Sequence, residues 1–192
     1  MNDGEITQKR DRHQLGFWAY IMTDCMLFAS MFATYMILKN ATAGGPGASQ
    51  LFDLGYALLL TILLLTSSYT VGLANLALHN NRRKEFIGYV AATIILGVSF
   101  LVLELREFAV LIHEGHGPDA SAFLSAFFTL VGLHGAHIAV GLLWAIVLAW
   151  ALYRQGRHED IKRKFGLFST YWHFLDVVWI FIFTIVYALG VA

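Results

Sequence analysis

Charge is what this sequence has least of. Asp, Glu, Lys and Arg make up 14% of its 192 residues, and the two signs cancel to a formal net charge of zero. That leaves no basic footprint for nucleic acid and too few charged groups to solvate a soluble domain of this size. Cysteine occurs once, at Cys25 inside an apolar run, which excludes an intrachain disulfide. The two prolines, Pro46 and Pro118, fall in connecting segments, so the apolar runs are unbroken. There is no internal repeat. Residues 1–14 are polar, lack the small-residue cleavage pattern of a secretory signal, and precede an apolar run too long for a signal core. Hydrophobic side chains fill the space these absences leave: 58% of residues, with a mean hydropathy of +0.63. Such a composition belongs to a multi-span membrane protein.

Five apolar runs are long enough to cross a hydrocarbon core of roughly 30 Å. They predict an all-α bundle of five transmembrane helices over about 15–38, 54–78, 86–110, 121–153 and 165–190, as one domain over 1–192. The Gly-rich connection Lys39 to Asp53 reads as a loop, and so does the polar stretch from His113 to Asp119. In the second span Ser68, Gly72, Asn75 and His79 share one helix face, a small-polar stripe that favours close helix packing in lipid. Lys9, Arg10 and Arg12 precede span one, Arg82, Arg83 and Lys84 follow span two, and Arg154, Arg157, Lys162, Arg163 and Lys164 follow span four. These are eleven of the thirteen basic residues, all on one side of the membrane. The positive-inside rule then puts the N-terminus in the cytoplasm and the C-terminus in the periplasm.

The chemistry of interest lies within the spans. Asp24 is the only charge in the first and Asp176 the only charge in the last, with His173 three residues before it on the same helix face. His134 and His137 fall near the middle of the fourth span, between Gly132, Gly135 and Gly141. A rise of 1.5 Å per residue lets Asp24, His134, His137, His173 and Asp176 form one central polar layer, and the glycines let another helix approach beside His134. A carboxylate at such depth costs several kcal/mol unless it is protonated, paired or wetted. The simplest reading is a hydrogen-bonded polar knot that sets helix register and buries all three histidines. A zinc or iron site from His134, His137, His173 and Asp176, or haem ligation by two of the histidines, is chemically allowed. Glu104, Arg106 and Glu107, at the end of the third span, read as an interfacial ion-pair cluster. His113, Glu114 and His116 read as a solvated loop. Trp18, Tyr35, Trp144, Trp150 and Tyr153 read as interfacial anchors or packing groups.

Two stretches carry a family resemblance. Gly132-Leu133-His134-Gly135-Ala136-His137-Ile138-Ala139-Val140-Gly141 is similar to the G-x-H-G-x-H-x-x-x-G helix of haem-copper terminal oxidase subunit III. Tyr171-Trp172-His173-Phe174-Leu175-Asp176-Val177-Val178-Trp179 resembles that family's last helix, Y-W-H-F-x-D-V-V-W. Asp24 falls where the family carries an acidic residue, and Glu104-Leu105-Arg106-Glu107 resembles its E-x-x-E. The resemblance runs from Gly16 onward and leans to the quinol-oxidising, cytochrome o type. It does so through Thr42-Ala43-Gly44-Gly45-Pro46, Gly117-Pro118-Asp119, Phe123-Leu124-Ser125-Ala126-Phe127-Phe128 and the count of five spans. Mitochondrial-type relatives have seven spans, and their lipid-filled cleft lies partly against the two that are absent here.

The resemblance implies an accessory subunit with no catalytic, cofactor or metal site of its own. Asp24, Glu104, Glu107, His134, His137, His173 and Asp176 are then its buried polar positions. Haem and copper are expected in subunit I, which is the main contact; subunits II and IV and membrane lipids, including bound phospholipid, are further partners. The complex would oxidise ubiquinol, reduce dioxygen to water and move protons outward across a bacterial inner membrane. The acidic residues would hold helices together or support proton supply to subunit I. The alternative within the family is subunit III of a cytochrome c oxidase. A proton-coupled transporter working through Asp24 and Asp176 would show repeats or broken helices, and a membrane di-iron enzyme would need more histidines than the eight present.

Overall fold

A computed structural model describes residues 3–155 and 158–191, with side chains over 14–151 and 161–190. Five long helices carry the chain: α1 (Asp3–Leu38), α3 (Leu54–His79), α4 (Arg83–His113), α5 (Ala122–Gln155) and α6 (His158–Ile182). A short α2 (Ala48–Leu51) interrupts the connection that reads as loop. After Ile182 the last span continues as a π-helical turn, Phe183–Ala188, and ends in α7 (Leu189–Val191). The stretches long and apolar enough to cross a membrane are Gln14–Leu38, Leu54–His79, Arg83–His113, Ala122–Ala151 and Ile161–Ala188. They agree in number and order with the expected spans. The third is longer at both ends than 86–110, because Arg83 to Glu85 and Leu111 to His113 keep helical geometry.

Turn chemistry joins the helices. Asn81, with φ of 57°, reverses the chain between α3 and α4, and Gly115, with φ of 83°, turns it after α4. The Asp53 side chain caps α3 by accepting from the Gly55 amide at 2.8 Å. Of the residues weighed above, Arg157 and the side chains of Lys9, Arg10, Arg12, Tyr153 and Arg154 lie outside what the structure describes.

Helix α3 packs closely on α4, α6 packs on both α3 and α5, and α5 also meets α1 and α4. The contacts of α6 rest on its two central tryptophans. Trp172 and Trp179 are seven residues apart, two turns on one face, and both point at α3. The Trp172 Nε1–H donates to Ser67 Oγ at 3.0 Å and the Trp179 Nε1–H to Thr61 Oγ1 at 3.0 Å. An indole N–H inside hydrocarbon needs such a partner, and each hydroxyl is placed to provide one. Room for the Trp172 ring comes from glycine. A Cβ at Gly141 would sit 2.9 Å from the ring and one at Gly97 3.1 Å from it.

The packing face of α3 runs through Ala57, Leu60, Thr61, Leu64, Ser67, Ser68, Val71, Ala74 and Ala77. It shares Ser68 with the expected small-polar stripe, and Asn75 is half-buried at its margin with its Oδ1 enclosed. Gly72 is exposed with nothing within 4 Å of an added Cβ, and His79 is also exposed, so that stripe is not the packing surface. The tryptophans explain the difference, since bulky rings seek Ser67 and Thr61 and rotate α3 to present them. Among the aromatics, Tyr35 and Trp144 are packing groups, whereas Trp18 and Trp150 face outward.

The two glycine surfaces should respond differently to added bulk. Gly141→Val should cost about 1–3 kcal/mol by forcing Trp172 out of its seat, whereas Gly72→Ala should be nearly neutral. The thermal midpoints of the two variants in one detergent check this; equal midpoints would contradict the role given to Gly141.

Candidate functional site

The polar side chains inside the spans sort into separate seams between helices. On the α1–α5 seam, Asp24 is buried and its Oδ2 lies 3.6 Å from His137 Nε2. The other ring nitrogen settles the tautomer. His137 Nδ1 is 2.7 Å from the Leu133 carbonyl oxygen, which can only accept, so Nδ1 carries hydrogen and Nε2 faces the carboxyl. At 3.6 Å the contact is longer than a hydrogen bond, and Oδ2 has no other partner among the described residues. Phe28 covers the imidazole at a ring distance of 5.2 Å, and the Tyr171 hydroxyl donates to the His137 carbonyl at 3.0 Å. Asp24 and His137 therefore face each other across the seam, walled by aromatics.

On the α4–α5 seam, Glu104 is buried against Gly135. A Cβ at residue 135 would lie 2.8 Å from Oε2 and 2.9 Å from Oε1. The glycine beside His134 does admit a neighbouring helix, and the group it admits is a carboxyl. Neither Glu104 oxygen has a hydrogen-bond partner among the described residues. His134 is fully buried between Phe28, Phe100 and Trp179, with ring distances of 6.3, 6.0 and 5.4 Å, and neither ring nitrogen is partnered.

Glu107 lies one turn further along α4. It accepts from the Tyr187 hydroxyl at 3.1 Å, within the π-helical turn, and borders a cleft of about 410 Å³ with Asp53, Tyr56, Arg106 and Glu114. Among the described residues no ion pair joins Arg106 to either glutamate. The expected ion-pair cluster does not form, because Arg106, two residues from Glu104, points away from the side of α4 that Glu104 and Glu107 share. Glu104 turns inward under Gly135, Glu107 turns to α6, and Arg106 is exposed.

On the α3–α6 seam, Ser68 Oγ is 3.2 Å from His173 Nδ1, and both groups border Asp176. His173 is exposed, contrary to the expectation that it is buried. Trp172 takes the inward direction, and the next residue on a helix points about 100° away. Sequence reasoning also missed Thr61, Ser67 and Gly97. The readable signal was the seven-residue spacing of Trp172 and Trp179, which calls for two hydroxyls at matching spacing on a neighbouring antiparallel helix.

Among the described residues no group of three or more His, Cys, Asp or Glu is disposed to hold a metal ion. His137 is engaged with Leu133 and Asp24, His173 with Ser68, and His134 with three aromatic rings.

Comparison with known proteins gives a family. The family model for cytochrome c oxidase subunit III matches residues 4–191. The cytochrome bo(3) ubiquinol oxidase subunit 3 of Pseudomonas aeruginosa is 49% identical over 175 residues, covering 91% of this chain and 84% of that protein. The cytochrome c oxidase subunit 3 of Bacillus sp. (strain PS3) is 47% identical over 176 residues, covering 92% and 85%. The quinol oxidase subunit 3 of Bacillus subtilis is 44% identical over 179 residues, covering 92% and 86%.

The Asp24–His137 geometry separates two substitutions. Asp24→Asn keeps size and gives His137 Nε2 an amide donor, so stability should be close to that of the unaltered chain. Asp24→Leu leaves the imidazole nitrogen unpaired in an apolar wall and should cost about 1–3 kcal/mol. Thermal unfolding of both variants in detergent checks this; equal loss in the two would contradict the pairing.

Proposed function

The chain belongs to the cytochrome c oxidase subunit III family, and from that premise we propose that it is the accessory, non-redox third subunit of a cytochrome o type ubiquinol oxidase. The observation that carries the choice of electron donor is the 49% identity, over 91% of the chain, to a cytochrome bo(3) ubiquinol oxidase subunit 3. The second reading, a cytochrome c oxidase subunit, is favoured by the 47% identity to the protein of Bacillus sp. (strain PS3).

In this proposal the complex oxidises ubiquinol, reduces dioxygen to water and moves protons across a bacterial inner membrane. Its haem and copper are held by subunit I, the main contact of this chain, with subunits II and IV as further neighbours. The N-terminus is cytoplasmic and the C-terminus periplasmic, as the clustered basic residues indicate. Several observations support a non-redox role. His134 is closed in by Phe28, Phe100 and Trp179. His137 has one nitrogen on Leu133 and the other toward Asp24. An imidazole enclosed by three aromatic rings, and one whose nitrogens already face Leu133 and Asp24, do not fit a haem or a copper ion. Asp24 has a structural role in this reading: with His137 it locks α1 onto α5. Glu104, Glu107, His134, His173 and Asp176 likewise hold helices or partners in place.

Purification of the complex tests the assignment. The tagged chain should bring down a haem-bearing subunit with ubiquinol oxidase activity, and the chain separated from it should show no Soret band. Activity with reduced cytochrome c, and none with ubiquinol, would move the assignment to the second reading. For Asp24 the measurement is oxygen consumption against pH in the assembled Asp24→Asn complex. A locking role predicts a profile parallel to the unaltered enzyme. A normal subunit ratio with a steep alkaline loss would instead assign Asp24 to proton supply. Topology is checked by cysteine labelling: His158→Cys should react only from the cytoplasmic side and Pro118→Cys only from outside.

A further inference from the structure

Helix α6 buries one face and leaves another open. Trp172 and Trp179 seat it on α3, and Phe181 meets Phe32 of α1 at a ring distance of 6.2 Å. Between those contacts runs an exposed strip of Thr170, His173, Val177, Ile180 and Thr184. At 3.6 residues per turn these positions fall within about 80° of arc. His173 is near the middle of the strip and of the Ile161–Ala188 span, about 18 Å along the helix from Ile161.

The chain also shows what its lipid-suited surface looks like. The outward strip of α5 is Ala136, Val140, Leu143 and Val147, and that of α4 is Ile95, Val98, Val102 and Leu105. Both are wholly apolar at mid-span. An imidazole facing acyl chains at that depth forfeits its hydrogen bonds to water and gains nothing in exchange. Ionisable side chains inside membrane helices face protein or water for this reason.

The contacts of His173 define what fits opposite it. Its Nδ1 is 3.2 Å from Ser68 Oγ, and Ser68 also borders Asp176. With Nδ1–H donating to Ser68 and the Ser68 hydroxyl donating to Asp176, Nε2 is left as an acceptor that faces out of the bundle. Among the described residues nothing hydrogen-bonds to Nε2. The Asp176 Oδ1 is buried and also unpartnered. The outward-facing His173 Nε2 at mid-depth calls for a donor from outside the chain.

We propose that the α6 strip centred on His173 seats a transmembrane helix of the haem-bearing partner subunit, one that presents a hydrogen-bond donor at mid-membrane depth to His173. This rests on the oxidase reading above. A photocrosslinking residue placed at Val177 in the intact complex should couple to the haem-bearing subunit, while the same residue at Val147 should not. His173→Leu should lower the amount of chain recovered with that subunit about tenfold, the equivalent of one lost buried hydrogen bond. His173→Gln, which keeps an acceptor of similar reach, should restore it. Coupling of Val177 only to lipid or to a second copy of this chain would overturn the proposal, as would full recovery with His173→Leu. Should the chain co-purify with a haem-bearing subunit while Val177 finds only lipid, the α6 face alone is wrong. Absence of any haem-bearing subunit would remove the oxidase reading itself, and this proposal with it.

Discussion

Inside a bilayer no water is available to satisfy a polar atom that protein leaves unpaired, and this constraint governs how the helices of this chain meet. Most of the serine and threonine hydroxyls answer it locally. Thr23, Ser30, Thr34, Thr66, Ser99 and Thr129 each donate to a carbonyl three or four residues back and so remain within their own helix. A few do more. Thr61 and Ser67 give their protons to backbone carbonyls and use their oxygens to receive the indoles of α6, while Thr70 and Thr93 meet across α3 and α4 at 2.8 Å. A hydroxyl that donates at home and accepts from abroad meets the demands of two helices with one atom. The seam between α3 and α6 is built from that economy.

Close approach supplies the other half. With no hydrophobic drive between helices in lipid, association depends on fitted contact, and here the fit is a large side chain against a glycine. Trp172 lies between Gly97 and Gly141, and Glu104 lies against Gly135. The second case joins both themes, since the glycine admits a carboxyl whose oxygens then find no partner among the described residues. Burial of Glu104 and loss of Arg106 as its companion come from the same local fact. Residues two apart on a helix point in opposite directions, so a charged tetrapeptide in sequence is not a charged cluster in space.

Much of the fold was legible because span length and hydropathy are properties of the chain itself. The five helices, their order and the glycines beside His134 could all be read there. Helix phase could not. Which face of α3 packs depends on where the rings of α6 fall, and the apolar majority of each span conceals the answer, because lipid and protein both accept leucine. The stripe of Ser68, Gly72, Asn75 and His79 pointed to the wrong face for this reason. Asp24 and His137, from different helices, were individually conspicuous, but their pairing across α1 and α5 is a matter of packing that no periodicity encodes.

The three histidines of the spans show how far phase decides chemistry. His134 and His137 are one turn apart on α5, but the first is enclosed by aromatic rings and the second pairs with a carboxyl. His173 follows a buried tryptophan on α6 and is turned outward by it. Identical side chains at similar depth thus become a packing group, the partner of a buried carboxyl and a surface acceptor. For a subunit whose relatives work inside a larger assembly, the third outcome matters most. An isolated bundle would gain by replacing His173 with leucine, as α4 and α5 do on their outward faces. Keeping an imidazole there lowers the stability of the chain alone unless a neighbouring protein supplies what the lipid cannot.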